Sequence, residues 1–256
     1  MPKAALDKLA RRYGLGQYAG APGATAPTTA GSPLVLPGQF KIEEQSDRYL
    51  LSPISYNNGV YQVGLSKKLL DNESTHTQEE WTNLLQNTEW RLPSGPLMLG
   101  IMTALYNERT GAHADAIKKI QKLLRKDFKD NWMTTGTRIK YNASGIDEVI
   151  HEYNTPDEYT VEADIVGPQD WVTPTSGFED SIDTLVGMRD LALLEKVSQW
   201  GSVKKPYLWR YTNKVDDVWA LVLGVYDDDG FIINASGVGI NYDRPARGVA
   251  AREKFP

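Results

Sequence analysis

Cysteine does not occur in this chain. No disulfide can staple the fold, and no thiolate can act as a nucleophile or hold a metal. The folded part must therefore hold itself together by burying side chains. With 256 residues, 41% of them apolar, it has the material for one large domain or two small ones. The formal net charge of -5 argues against a nucleic-acid partner, because phosphate binding draws on clustered cations. No window is apolar for long enough to cross a membrane. Met1-Pro2-Lys3 leads into a charged amphipathic stretch and not into the apolar core of a secretion signal. The expected setting is a cytoplasm or a particle assembled in one, such as a virion; a place on a cell surface would require another route.

The pattern changes near residue 39. Ala4 to Tyr13 can form a short helix with Leu6, Leu9 and Ala10 on one face. Gly14 to Gly38 is rich in Gly, Ala, Pro and Thr and buries too little to order itself. Residues 1–38 thus read as a flexible tail and linker, and 39–256 as the folded domain. Two strands, Arg48 to Ser55 and Asn58 to Leu65, flank an Asn-Gly turn signal. Thr77-Gln-Glu-Glu80 is a capping box that starts a helix through Trp81, Leu84 and Leu85. Trp90-Arg91-Leu92-Pro93 is extended, and Pro96 to Tyr106 reads as a largely buried helix. Ala112 to Lys129 is a third helix, with Ile117, Ile120, Leu123, Leu124 and Phe128 inside and a lysine-rich solvated face. Strands are expected over Thr137–Tyr141 and Tyr159–Val166. A helix follows within Asp180 to Trp200, stopped by Gly201, and then strands and loops from Tyr207 onward.

Catalytic constellations are sparse. His76, His113 and His151 are scattered in polar context, and none has a second metal ligand at helical spacing, so no zinc site is expected. Nucleophile elbow, phosphate loop and dinucleotide fingerprint are missing. No acidic pair stands out in an apolar setting. Asp227-Asp228-Asp229-Gly230 carries clustered carboxylates, but the spacing is that of a hairpin turn and not of a calcium loop. No cofactor and no metal are expected.

Two separated stretches carry a resemblance. One is Trp90-Arg91-Leu92-Pro93 followed by an apolar helix. The other runs from Tyr207-Leu208-Trp209-Arg210-Tyr211-Thr212 through Val218-Trp219-Ala220-Leu221, Gly230-Phe231 and Ile233-Asn-Ala235 to Arg244-Pro-Ala-Arg247-Gly248-Val249. Their order resembles the C-type-lectin-like domains of bacterial, phage and archaeal-virus proteins. It is similar in particular to the variable proteins of diversity-generating retroelements. The resemblance implies an α+β, C-type-lectin-like fold over 39–256, with 112–201 as a helical insertion and 207–252 as the variable region. It also implies a non-catalytic binder or display protein whose partner is a protein or a glycan, not nucleic acid.

Period-two alternation in Phe231 to Val238 puts Phe231, Ile233 and Ala235 on the core face and Ile232, Asn234 and Ser236 on the open one. Trp209 and Trp219 read as core anchors. Between Val215 and Ala251 there is no Lys, Glu, Gln or Met. In the family resembled, adenine-directed mutagenesis of Asn codons cannot create those residues, and strands are depleted in Lys and Glu in any case. The resemblance places the variable face at Arg210, Tyr211, Asn213, Tyr226, Asp228, Ile232, Asn234, Ser236, Gly239, Asn241 and Tyr242, a mixture like that of antibody paratopes. Two alternatives stay open. One is an enzyme with the related formylglycine-generating fold, whose copper-binding cysteines have no counterpart here. The other is a structural virion or envelope subunit without a diversified face.

Overall fold

The computed structural model describes residues 40–143, 145–211, 216–226, 230–235 and 243–254. The expected tail over 1–38 lies outside them. The described part is mixed α+β, with two sheets and five α-helices. No described helix is long and apolar enough to cross a membrane.

The first sheet opens with β1 (Lys41–Glu44), β2 (Arg48–Tyr56) and β3 (Gly59–Leu69). β2 and β3 form the expected hairpin, with Tyr56 opposite Gly59. Its tight turn uses Asn57 (φ 43°) and Asn58 (φ 54°), one residue earlier than the Asn-Gly signal suggests. Asn tolerates the left-handed region better than other side chains do, which suits this two-residue loop. A short 3-10 turn (Asp71–Glu73) leads to α1 (Gln78–Leu85), and the Thr77/Glu80 capping box is present in both directions. β4 (Trp90–Arg91) then pairs with the last strand, β12 (Arg247–Lys254). The five strands lie in the order β1-β2-β3-β12-β4, so the end of the described chain is locked between early strands.

Between the sheets run α2 (Gly95–Asn107) and α3 (Ala114–Asn131). α2 is apolar almost all round, as a helix covered on every side must be. It packs on β2 and also touches the second sheet. Arg247 of β12 and Asp127 of α3 form a buried ion pair (Nε to Oδ2 2.6 Å) that fastens the first sheet to this helix. Two short helices follow later, α4 (Glu179–Val186) and α5 (Leu191–Ser202). The single helix sought after Asp180 is thus two. Gly187, at φ 66°, ends the first, and Asp190 caps the second through the Leu193 amide. Gly201 does not stop α5; Val203 at φ 68° does.

The second sheet has seven strands in the order β7-β6-β5-β10-β11-β9-β8. They are β5 (Met133–Tyr141), β6 (Asp147–His151), β7 (Tyr159–Ala163), β8 (Asp170–Trp171), β9 (Pro206–Trp209), β10 (Asp217–Tyr226) and β11 (Gly230–Asn234). The stretch 112–201 therefore supplies β5, in the middle of this sheet and paired directly with β10. One core cluster takes side chains from both sheets and from the helices between them, including Leu51, Val63, Leu97, Phe128, Leu221 and Phe231. A smaller cluster forms around Trp81, the fully buried indole, with Leu92 and Ala246.

Candidate ligand-binding face

Strand geometry sorts the tail residues into two faces. On β9, Pro206 and Leu208 point into the core while Tyr207 and Trp209 point out. Register continues that outer face onto the neighbours. Trp171 lies opposite Tyr207, Tyr207 beside Ile232, and Trp209 beside Asn234; Ile232 in turn faces Gly224 and Asn234 faces Val222. Tyr226, two residues beyond Gly224 on β10, completes the row.

Aromatic rings roof this outer face. Trp132, which ends α3 in the left-handed region, lays its indole against Gly224, where an added Cβ would sit 2.9 Å from Cγ. Its Nε1 donates to the Val225 carbonyl (3.2 Å). Trp171 covers Gly230 in the same way, with an added Cβ 2.6 Å from its ring. The rings meet edge to face: Trp132 with Tyr226 at 5.7 Å, Trp171 with Tyr207 at 5.1 Å and Tyr207 with Trp209 at 6.4 Å. Such pairs contribute about 0.5–1.5 kcal/mol each beyond their buried area. Trp171 and Tyr226 remain 40% and 44% exposed.

Several sequence expectations need correction against this geometry. Ile232 is fully buried and Asn234 is 2% exposed, so β11 is buried on both faces and is not a half-open strand. Ile232 sits between two glycines that carry indoles, and Tyr207 closes its other side. Arg210, expected on the face, is 6% exposed. Its Nε donates to the Pro168 carbonyl, its Nη1 to Ser181 Oγ, and its guanidinium stacks on Phe178 at 4.3 Å. Burial lowers its pKa from the usual value. Tyr211 is half-buried, held edge-on between Tyr141 and Trp219. Burial, reinforced by Asp217, pushes its pKa up to about 12. Of the expected face residues, Tyr226 alone stands exposed among those described. Asn213, Asp228, Ser236, Gly239, Asn241 and Tyr242 lie outside the described residues.

Strand directions add a constraint. β9 and β11 are parallel and β10 runs against β11, so β9 and β11 end where β10 begins. At the other end of the sheet β10 finishes and β11 starts. Nor are the two proposed anchors equivalent. Trp219 packs against the core with its Nε1 unpartnered, whereas Trp209 belongs to the outer face. Trp132, Trp171 and Tyr207 were not legible as surface groups. The signal that places Tyr207 and Trp209 outward is the alternation Pro206-Tyr207-Leu208-Trp209.

A second polar cluster is fully internal, which corrects the expectation of a polar context for His151 and of no acid in an apolar setting. His151 is 1% exposed. Its Nε2 donates to the Thr184 carbonyl (2.8 Å), which can only accept, so Nδ1 is left to accept from Thr137 Oγ1 (2.9 Å). Thr137 Oγ1 in turn accepts from the Gly95 amide at the start of α2. Both ring nitrogens are therefore committed in the neutral form, and burial pulls the pKa down to about 4. Glu152, fully buried with φ 54°, accepts from Ser94 Oγ (2.7 Å), and burial pushes its pKa up to about 7. These groups organise the N-terminus of α2.

Two open grooves border α1. One, of about 330 Å³, is lined by residues including Trp90, Arg91 and Tyr153; the other, of about 740 Å³, by residues including Lys67, Leu84 and Trp90. Among the described residues, no group of three or more acidic or histidine side chains is placed to hold a metal ion. No protein-family model, curated protein or solved structure matches this chain.

Proposed function

We propose that this chain is a non-catalytic ligand-binding protein of C-type-lectin-like architecture, of the kind found among the variable proteins of diversity-generating retroelements. Its binding face would be the outer side of the tail strands together with the connections that leave them. The observation that carries the reading is the aromatic side chains of that outer side: Trp171, Tyr207 and Trp209 meet edge to face, Tyr226 meets Trp132, and Trp171 and Tyr226 are exposed. Aromatic side chains of this kind provide large contact area at little entropic cost.

The framework supports the reading in a second way. β12 is clamped between β3 and β4 and fastened by the Arg247–Asp127 pair. The framework would then tolerate changes in the connections while Arg247 and Asp127 are kept. A displayed library tests this. Randomising Asn213, Asp228, Ser236, Gly239, Asn241 and Tyr242 should leave most clones protease-resistant and should yield binders to unrelated targets. Randomising Arg210, Ile232 and Asn234 should unfold most clones. Equal losses in the two libraries would defeat the proposal. In the genome, the reading expects a near-copy of the segment encoding 207–252, differing at adenines, beside a reverse transcriptase gene.

A further inference from the structure

We infer that the connection from β6 to β7, residues 152–158, is a proton-operated strap: the protonated Glu152 side chain seats it against α2 and β4, and loss of that proton promotes its opening. This is independent of the binding reading above. Glu152 is fully buried, yet Asn154 and Pro156 to Glu158, a few residues on, are exposed. Its Oε1 accepts from Ser94 Oγ (2.7 Å), and Ser94 in turn caps α2 by accepting from the Leu97 amide (3.4 Å). The titratable groups that face Glu152 are Arg91 of β4, Tyr61 of β3, Tyr159 of β7 and Asp157 of the connection itself. Arg91 is the cation of this set, and its Nη1 already donates to Asp157 Oδ2 (2.8 Å). An ionised Glu152 would have to share that guanidinium with a second carboxylate while enclosed, which is unfavourable.

The connection can relieve such a charge without unfolding either sheet. Glu152 and Asn154 sit in the left-handed region, at φ 54° and 58°, a conformation that strains side-chain-bearing residues and is released on opening. Its internal bonds are those of turns: the Thr155 amide donates to the Glu152 carbonyl and the Glu158 amide to the Thr155 carbonyl, both at 3.1 Å. It is tied to other elements by the Tyr153 amide, which donates to the Gly136 carbonyl (2.9 Å), by Arg138 stacked on the Tyr153 ring at 3.5 Å, and by Arg91 on Asp157. A turn held in this way opens at lower cost than a strand inside a sheet. Tyr153, Asn154, Thr155 and Pro156 also line the smaller groove beside α1, so opening the strap widens that groove.

Amide hydrogen exchange followed by NMR on the full chain is the test. In the closed strap, burial pushes the Glu152 pKa from 4.5 up to about 7; in the open one it ionises as an ordinary carboxylate. Opening is therefore promoted as pH rises from 4.5 to 7 and levels off above. Measured against Glu152→Gln at the same pH, exchange of the Tyr153 amide should rise roughly fifty-fold between about pH 5 and about pH 8, with little response to roughly 1 M urea. Global unfolding gives a different curve. It also exposes His151, whose pKa burial pulls down to about 4, and the two opposite shifts cancel between about pH 4.5 and 6.5. When only the strap opens, His151 stays in place on Thr137 and Thr184. Should Glu152→Gln fail to fold, the unaltered chain's own Tyr153 exchange, corrected for intrinsic amide chemistry, carries the same slope. A flat curve overturns the inference. So does a rise that the interior amides of β5 share with equal urea dependence, since the opening is then global.

Discussion

Replacing Glu152 by Gln removes a single buried carboxyl while keeping its shape and its contact with Ser94. In the native protein that carboxyl is fully enclosed, and burial raises its pKa from 4.5 to about 7. The folded state then holds a proton that the unfolded chain releases above pH 4.5. Stability from this group is full below pH 4.5 and is lost as pH rises toward 7. At about 1.4 kcal/mol per pH unit, the loss amounts to about 3 kcal/mol across that window. Gln carries no such dependence. The stability of Glu152→Gln minus that of the unaltered protein should therefore climb by about 3 kcal/mol between pH 4.5 and 7 and stay level above. His151 has the opposite sign. Its pKa falls from 6.5 to about 4, so the unfolded chain binds the extra proton and stability drops as pH falls through that range. The difference for His151→Gln should fall by about 3 kcal/mol as pH rises from 4 to 6.5. Urea denaturation at half-unit pH steps measures both curves. A flat difference curve for Glu152→Gln, or one descending with pH, would refute the assignment of a protonated buried acid.

Three other substitutions probe the framework and the face. Asp127→Ala strands the buried Arg247 guanidinium and should cost about 3–5 kcal/mol in urea denaturation; the double change Asp127→Leu with Arg247→Met should recover most of it. Gly224→Ala drives a methyl group into the Trp132 indole and should cost about 1–3 kcal/mol, with a shift in tryptophan emission as the ring is displaced. Ile232→Asp should prevent cooperative folding because it buries an unpaired charge, whereas Tyr226→Asp should leave the thermal midpoint within a few degrees; circular dichroism melting separates the two.

Local signals in the chain hold in the folded protein. The capping box at Thr77, the hairpin before Gly59 and the buried stripe of α3 appear as expected, because each depends on neighbours a few residues away. β6 was missed: its residues, Asp147 to His151, show little alternation, and its place is fixed by pairing with β5 and β7. The candidate site was legible only in part. Tyr226 is exposed as expected, but Ile232 and Asn234 follow a period-two pattern that implies one open face, and both are buried, with indoles standing over the neighbouring Gly224 and Gly230.

From the sequence by itself came the demand for a large cysteine-free core and the class of most elements, since composition and short-range periodicity are written in neighbouring residues. Only the tertiary structure decided which tail side chains meet solvent. Trp132 reaches Gly224 and Trp171 reaches Gly230 across wide gaps in the chain. Burial at a strand depends on what is brought over it from elsewhere, and no local pattern records that.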